Sequence, residues 1–194
     1  MMKELEEIKK AVGARLSRKR FEHTAGVAET AVRLAARWGA DPNGAYIAAL
    51  VHDYAKEIPI DETLKMLNEA GIAPDRGMLE CPAVLHGPLA AYLAEREFGI
   101  SDRDILNAVR YHTTGRRGMS QLEKVIYLAD FIEPNRCFDG VDEVRVLAEE
   151  SLDRAVLLES DMVIRFTLDR GLPLYVGTVE TRNDMLKRIG EVEK

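Results

Sequence analysis

Helix signals follow one another along almost the whole of this chain, and each is bounded by a residue that starts or ends a helix. Residues 18–38 carry apolar side chains at helical spacing and stop at Gly39. The next segment opens with Asp41 as a cap and Pro42 in its first turn, and we expect it to run to Pro59. Further predicted segments cover residues 3–12, start at Asp61, Ser101 and Ser120, and end at Gly71, Gly99 and Pro134.

Only two apolar runs could be interpreted as strands. VIYLADFI lies inside a capped and charged helical frame, so we predict helix, and PLYVGTV is short and flanked by Pro and Gly, so we predict loop. The sequence therefore predicts an all-α protein of roughly eight to ten helices. We expect one helical domain over residues 1–194, with the motifs in about 18–136 and C-terminal helices in about 141–190 packing on them.

Composition narrows the class of partner. With 46% hydrophobic and 31% charged residues the chain is typical of a soluble globular protein, and a net charge of −6 favours neither nucleic acid nor a membrane surface. The first residues, MMKELEEIKKAVGARL, lack the apolar core of a signal peptide. Cys81 and Cys137 lie far apart without metal-type spacing. We therefore expect a cytoplasmic protein with free thiols.

The histidines and two aspartates indicate a metal site. All four histidines lie in or beside helical segments among small or apolar neighbours: His23, His52, His86 and His112. A lone histidine of this kind is usually a core residue bonded to a backbone carbonyl, but here none remains for the surface. Asp53 and Asp130 also sit in apolar runs, where an unpaired charge costs several kcal/mol. Metal ions would compensate all six, and imidazole with carboxylate suits zinc, manganese or non-haem iron.

The motifs HTAGVAETA, VHDYAKE, LHGPLAA and RYHTTGRRGMSQLEKVIYLADFIEPNR resemble the YqeK family of bacterial HD-domain metal-dependent phosphohydrolases, over about residues 18–190. This resemblance implies a symmetrical diadenosine tetraphosphate hydrolase that makes two ADP. It implies two divalent transition-metal ions, iron first, with manganese or cobalt possible. The ligands implied for the first ion are His23, His52, Asp53 and Asp130, while Asp53 bridges to a second ion held by His86 and His112.

The expected chemistry is attack by a metal-bridging hydroxide. Two cations about 3.5–4 Å apart lower the pKa of a shared water and neutralise charge on the phosphate oxygens. We assign Asp53 and Lys56 to catalysis, because Lys56 lies four residues after His52, on the same face of the predicted helix. The predicted substrate contacts are Lys56, Arg136, Thr113 and Arg116.

Other functions remain open at this point. The same ligands could serve another HD-type nucleotide phosphohydrolase or phosphodiesterase, or a di-iron oxygenase related to myo-inositol oxygenase. The EPNR motif favours the hydrolase. A non-catalytic HD module would tend to lose ligands, and none is missing here. The expected partner is a nucleotide polyphosphate, and a surplus of Leu, Val and Tyr in RFTLDRGLPLYVGTVETRND suggests a homodimer contact.

Overall fold

The computed structural model describes residues 2–192, and eleven α-helices and one short 3₁₀ turn account for the regular structure of that range. The helices are α1 (Met2–Arg15), α2 (Arg18–Trp38), α3 (Pro42–Val51), α4 (Ile60–Glu69), α5 (Arg76–Glu80), α6 (His86–Phe98), α7 (Arg103–Tyr111), α8 (Gln121–Ile132), α9 (Val141–Glu150), α10 (Leu152–Asp169) and α11 (Val176–Val192), with the 3₁₀ turn at Pro82–Val84. The all-α prediction is confirmed. The count exceeds ten because α5 has only five residues, too few to show a helical period.

Helix α8 lies at the centre of the fold. It packs against α2, α7, α9 and α10. Val125, Ile126, Leu128 and Ala129 are all fully buried, which they could not be on a helix with one solvent face. This burial explains why VIYLADFI lacks a polar stripe in the sequence. Its helical assignment is confirmed, and Ser120 caps it in a capping box with Glu123.

Three boundaries differ from the prediction. The cap of α7 is Asp102 rather than Ser101, because the Asp102 carboxylate accepts from the N–H groups of Asp104 and Ile105. Helix α11 begins at Val176, so only the first part of PLYVGTV is loop. Helix α3 ends at Val51 and does not continue to Pro59.

The third difference changes the setting of the HD doublet. After α3 the backbone makes tighter turns, in which Tyr54 N–H bonds the Val51 carbonyl at 3.1 Å and Lys56 N–H bonds the Asp53 carbonyl at 2.9 Å. The prediction that Lys56 follows His52 on one helical face is therefore wrong. Lys56 reaches the same region because these turns fold it back beside Asp53.

The C-terminal helices pack on the motif-bearing part of the chain. Helix α10 lies against α8 and α9, and α11 lies against α10. The Thr181 hydroxyl on α11 is 3.0 Å from the Thr114 carbonyl, and Gly118 N–H donates to Asp184 at 3.0 Å. Gly115 has a φ of +60°, and a Cβ there would lie 2.5 Å from the Thr181 hydroxyl. Helix α11 thus holds the loop of residues 113–118 in place.

None of the helices within residues 2–192 combines the length and the apolar character needed to cross a bilayer. Both cysteines, Cys81 and Cys137, are free thiols.

Candidate metal centre

Six side chains from five separate elements meet in one interior cluster, called here the His/Asp cluster. His23 comes from α2, His52 and Asp53 from the end of α3, His86 from the start of α6, His112 from the end of α7, and Asp130 from α8. All are buried except Asp130, whose side chain is partly exposed. The structure therefore brings together every residue that the motifs predicted as a ligand.

Each histidine is oriented by a hydrogen bond at Nδ1. The Nδ1 atoms of His52, His86 and His112 lie 2.6, 2.8 and 2.7 Å from the backbone carbonyl three residues earlier. A carbonyl oxygen can only accept, so Nδ1 carries the proton and Nε2 keeps its lone pair. In the same way, Nδ1 of His23 donates to Glu133 at 3.1 Å. All four rings thereby present the tautomer that metal-ligating histidines use.

Asp53 divides the four histidines into two pairs. Its Oδ1 lies 3.3 Å from His86 Nε2 and 3.7 Å from His112 Nε2. Its Oδ2 lies 3.4 Å from His52 Nε2 and 3.7 Å from His23 Nε2. Asp130 joins the second pair, with Oδ1 3.0 Å from His23 Nε2. One carboxylate with a histidine pair on each oxygen is the arrangement that a bridging ligand of two ions requires.

The donor atoms of this cluster fit divalent cations. The Nε2 atoms of His23 and His52 are buried and have no hydrogen-bond partner among the described residues. An unpaired buried acceptor is costly, and a cation would satisfy both. The Nε2 atoms of His86 and His112 face each other at 3.0 Å, where a shared cation would relieve the contact of two lone pairs. Two groups, His23/His52/Asp130 and His52/Asp53/His112, each place their ligand atoms within 4.8 Å of one another.

Protonation states of the cluster suit this role with one exception. Burial lowers the pKa of His86 to about 4, which keeps its imidazole neutral at pH 7. Burial opposes ionisation of Asp53, but the neighbouring imidazoles hold its pKa well below the ordinary value. For His52, burial lowers the pKa, yet Asp53 and Asp130 outweigh it and the net pKa is raised. A metal ion at His52 would therefore have to displace a proton.

Three cationic side chains surround the cluster. Lys56 Nζ is 3.3 Å from His86 Nε2, and Arg136 Nη2 is 2.7 Å from Asp130 Oδ1. Arg20 Nη1 lies 2.8 Å from Asp53 Oδ2. Burial lowers the pKa of Lys56, and the charges of Arg20 and Arg136 lower it further, although Asp53 and Asp130 oppose this.

Arg20 is a residue that the sequence analysis missed. It precedes His23 by three residues on α2, so the two side chains share one helix face. That spacing was the available signal. It is weak, because a helical arginine is usually solvated.

Two predicted substrate contacts have different settings. The Thr113 hydroxyl lies in the cluster, 3.2 Å from His86 Nε2 and 3.1 Å from His112 Nε2. Arg116 instead forms a two-point ion pair with Glu123, at 2.7 and 3.0 Å. Glu123 is buried at the start of α8 and needs a charge partner there. A substrate phosphate would have to compete with that carboxylate for Arg116.

Two glycines allow the elements that carry ligands to approach closely. A Cβ on Gly87 would lie 2.5 Å from the Arg110 carbonyl, so glycine lets the start of α6 meet the end of α7. His86 and His112 meet at this contact. A Cβ on Gly26 would lie 2.5 Å from Glu133 Oε2, in the place where that carboxylate reaches His23. The ligand geometry therefore depends on residues that bind nothing.

Comparison with known proteins agrees with this geometry. A family model described as HD domain matches residues 20–135, a range that holds all six cluster residues. A Bacillus subtilis (strain 168) protein named symmetrical bis(5'-nucleosyl)-tetraphosphatase is 46% identical over 178 residues, covering 92% of this chain and 95% of that protein. A Staphylococcus aureus protein of the same name is 33% identical over 181 residues, covering 92% and 93%.

A solved structure is similar across the whole fold. A Clostridium acetobutylicum protein, described as a predicted HD superfamily hydrolase involved in NAD metabolism, superposes with a TM-score of 0.92 and 42% sequence identity. The match covers 94% of this chain and 97% of that one. The resemblance seen in the motifs is confirmed: this chain belongs to the HD-domain family and, within it, to the group of the symmetrical bis(5'-nucleosyl)-tetraphosphatases.

Proposed function

We propose that this chain is a metal-dependent hydrolase that cleaves diadenosine tetraphosphate symmetrically into two ADP. The observation that carries the proposal is the position of Asp53, with a histidine pair on each carboxylate oxygen. The names of the relatives from B. subtilis and S. aureus support the substrate and the symmetry of the cut. They also favour hydrolysis over the di-iron oxygenase chemistry that similar ligands could serve.

The metal sites follow from the same carboxylate. His23, His52, Asp130 and Asp53 Oδ2 would hold one divalent ion, and His86, His112 and Asp53 Oδ1 the other. When bound, such ions supply an activated water and neutralise charge on phosphate. Nitrogen and carboxylate donors together suit iron, manganese or cobalt better than magnesium. We propose iron, with manganese or cobalt as possible substitutes.

The cations of the site would bind the polyphosphate. A tetraphosphate chain is highly anionic, and the three cations lie beside the ligands themselves. Arg20 and Arg136 have planar guanidinium groups suited to two non-bridging oxygens each. Lys56 would stabilise the charge that develops at the attacked phosphorus, the second from one adenosine, as ADP leaves. The Thr113 hydroxyl would donate to a phosphate oxygen from the side of His86 and His112.

The cellular setting and assembly are also proposals. We infer a cytoplasmic enzyme, since the proposed substrate is a nucleotide of the cytoplasm. We also propose a homodimer through the exposed apolar side chains Leu168, Leu172 and Val176, at the turn between α10 and α11. Light scattering after gel filtration tests this proposal, and a monomer at micromolar concentration would reject it.

The activity has a direct test. Protein purified without oxygen is loaded with iron(II), manganese(II) or cobalt(II), incubated with diadenosine tetraphosphate, and the products are separated by ion-exchange chromatography. We expect ADP alone, and loss of turnover in His52→Ala and Asp53→Ala. ATP with AMP would place attack on another phosphorus and reject symmetrical cleavage. No turnover in a folded protein that holds two metal ions would reject the hydrolase.

A further inference from the structure

Two phenylalanines form an exposed aromatic surface next to the proposed phosphate site. Phe131 is the residue after Asp130 on α8, and Phe138 lies in the loop that follows this helix. Their rings pack edge to face, with centroids 4.9 Å apart and an interplanar angle of 68°. Phe138 remains 39% exposed. We call this pair the aromatic ledge.

The loop that carries Phe138 is held firmly in place. The Arg145 guanidinium donates to the carbonyls of Ile132, Glu133 and Arg136, at 3.0, 2.9 and 2.8 Å. The Arg136 side chain ties the loop back to α8, with Nε 2.9 Å from the Asp130 carbonyl. Exposure of Phe138 is therefore a property of a fixed backbone. A rigid exposed ring loses little conformational freedom when a ligand covers it.

The order of residues along this loop matches the order of groups in a nucleotide. Asp130 lies in the His/Asp cluster, Arg136 contacts Asp130, and Phe138 follows two residues later against Phe131. In a nucleoside diphosphate the phosphates come first, then the ribose, then the base. A base whose β-phosphate lies at the cluster must find its contact beyond the phosphate-binding cations. The aromatic ledge occupies that position on the loop.

We propose that the aromatic ledge is the platform for one purine base of the substrate, with the exposed face of Phe138 stacked on it. This inference rests on the proposed function, because it assumes a nucleotide with its phosphates at the cluster. Stacking on an aromatic ring tolerates different bases, since every base has a π face. The ledge thus favours nucleoside polyphosphates over inorganic ones, with little discrimination between adenine and guanine.

The test compares a ligand that has a base with one that lacks it. Binding of ADP and of inorganic pyrophosphate to the manganese-loaded protein is measured by calorimetry for wild type and Phe138→Leu. We expect Phe138→Leu to weaken ADP roughly tenfold and leave pyrophosphate unchanged, since base–aromatic stacking has that magnitude. Phe138→Tyr, which keeps the ring, should bind ADP as wild type does. Phe166→Leu, at an exposed aromatic on α10, is the matched control and should change neither.

Equal weakening of both ligands, or of neither, would overturn the inference. Should Phe138→Leu fail to fold, Phe138→Trp takes its place, with wild type, which has only Trp38, as the fluorescence baseline. ADP should then quench the new tryptophan and pyrophosphate should not, and quenching by neither ligand would also reject the ledge. The proposed function fails separately, through absence of diadenosine tetraphosphate cleavage in wild type.

Discussion

Glu133 Oε1 lies 3.1 Å from His23 Nδ1, on the side of the imidazole opposite Asp130. Glu133 is only 2% exposed, and its other oxygen accepts from Asn135 N–H at 2.7 Å. The carboxylate therefore fixes both the ring orientation and the tautomer of His23. Partners of this kind typically change metal affinity by about 10–100-fold when removed.

For Glu133→Gln we expect metal affinity to fall by about tenfold or more, because the amide is uncharged and cannot accept at both positions. Manganese(II) affinity, measured by competition with a chelator, checks this. Glu22→Gln, at an exposed glutamate on α2, is the control. An affinity equal to that of wild type would show that His23 does not depend on this hydrogen bond.

Two arginines of α2 allow a matched comparison. Arg20 contacts Asp53, while Arg18 is 92% exposed and pairs with Glu22 across one helical turn. We expect Arg20→Gln to raise KM for diadenosine tetraphosphate by roughly tenfold or more, because a hydrogen bond to a charged group contributes about 1.5–3 kcal/mol. Arg18→Gln should change KM less than twofold. Equal kinetics in the two variants would remove Arg20 from the phosphate site, and Arg20→Lys should recover part of the loss.

Gly87 sets the approach of α6 to α7. In Gly87→Ala the new methyl would lie 2.5 Å from the Arg110 carbonyl, so the helices must move apart. We expect a loss of about 1–3 kcal/mol in the free energy of unfolding, together with weaker metal binding at His86 and His112. Gly190→Ala on α11 meets nothing within 4 Å and should stabilise by about 0.5–1 kcal/mol. Urea unfolding of both variants checks the contrast, which an equal stability of the two would contradict.

Glu159 is a buried carboxyl whose Oε2 has no hydrogen-bond partner among the described residues. Burial first, and then the charge of Asp130, raise its pKa well above the ordinary value. Between the unfolded pKa and this raised pKa, the folded state holds a proton that the unfolded chain has lost. Its contribution to stability is therefore complete below about pH 4.5 and falls as pH rises.

Glu159→Gln keeps the volume and removes this titration. We expect the variant to gain stability relative to wild type as pH rises from 4.5 to 8, by at least about 1.4 kcal/mol, the equivalent of one pKa unit. Glu143→Gln, at an exposed position on α9, should follow wild type across the range. The measurement is urea unfolding at several pH values, and a constant difference between Glu159→Gln and wild type would contradict the assignment.

The ligand set was predictable because it depends on residue types and their order. No histidine was left for the surface, and two aspartates sat in apolar runs, so the cluster of six could be expected without any coordinates. Lys56 was placed at the site for the wrong reason, since α3 ends at Val51 and turns carry the lysine back. Whether a helix ends there depends on tertiary packing more than on local preference.

Arginines were the hardest residues to place from sequence. A surface arginine and one that reaches a buried carboxylate look alike until the partner is known. Arg20 was missed for this reason, and the partner of Arg116 proved to be Glu123, seven residues further along the chain. Both contacts are set by how α2 and α8 lie in the fold. No periodicity in the sequence reports them.

The contact between Thr181 and the Thr114 carbonyl spans 67 residues. Thr113, next to that carbonyl, touches both His86 and His112, so one half of the cluster receives its support from near the C-terminal end of α11. A growing polypeptide leaves the ribosome N-terminus first. This half of the centre therefore cannot reach its final shape until synthesis is almost complete, and a chain that stops before α11 lacks its support.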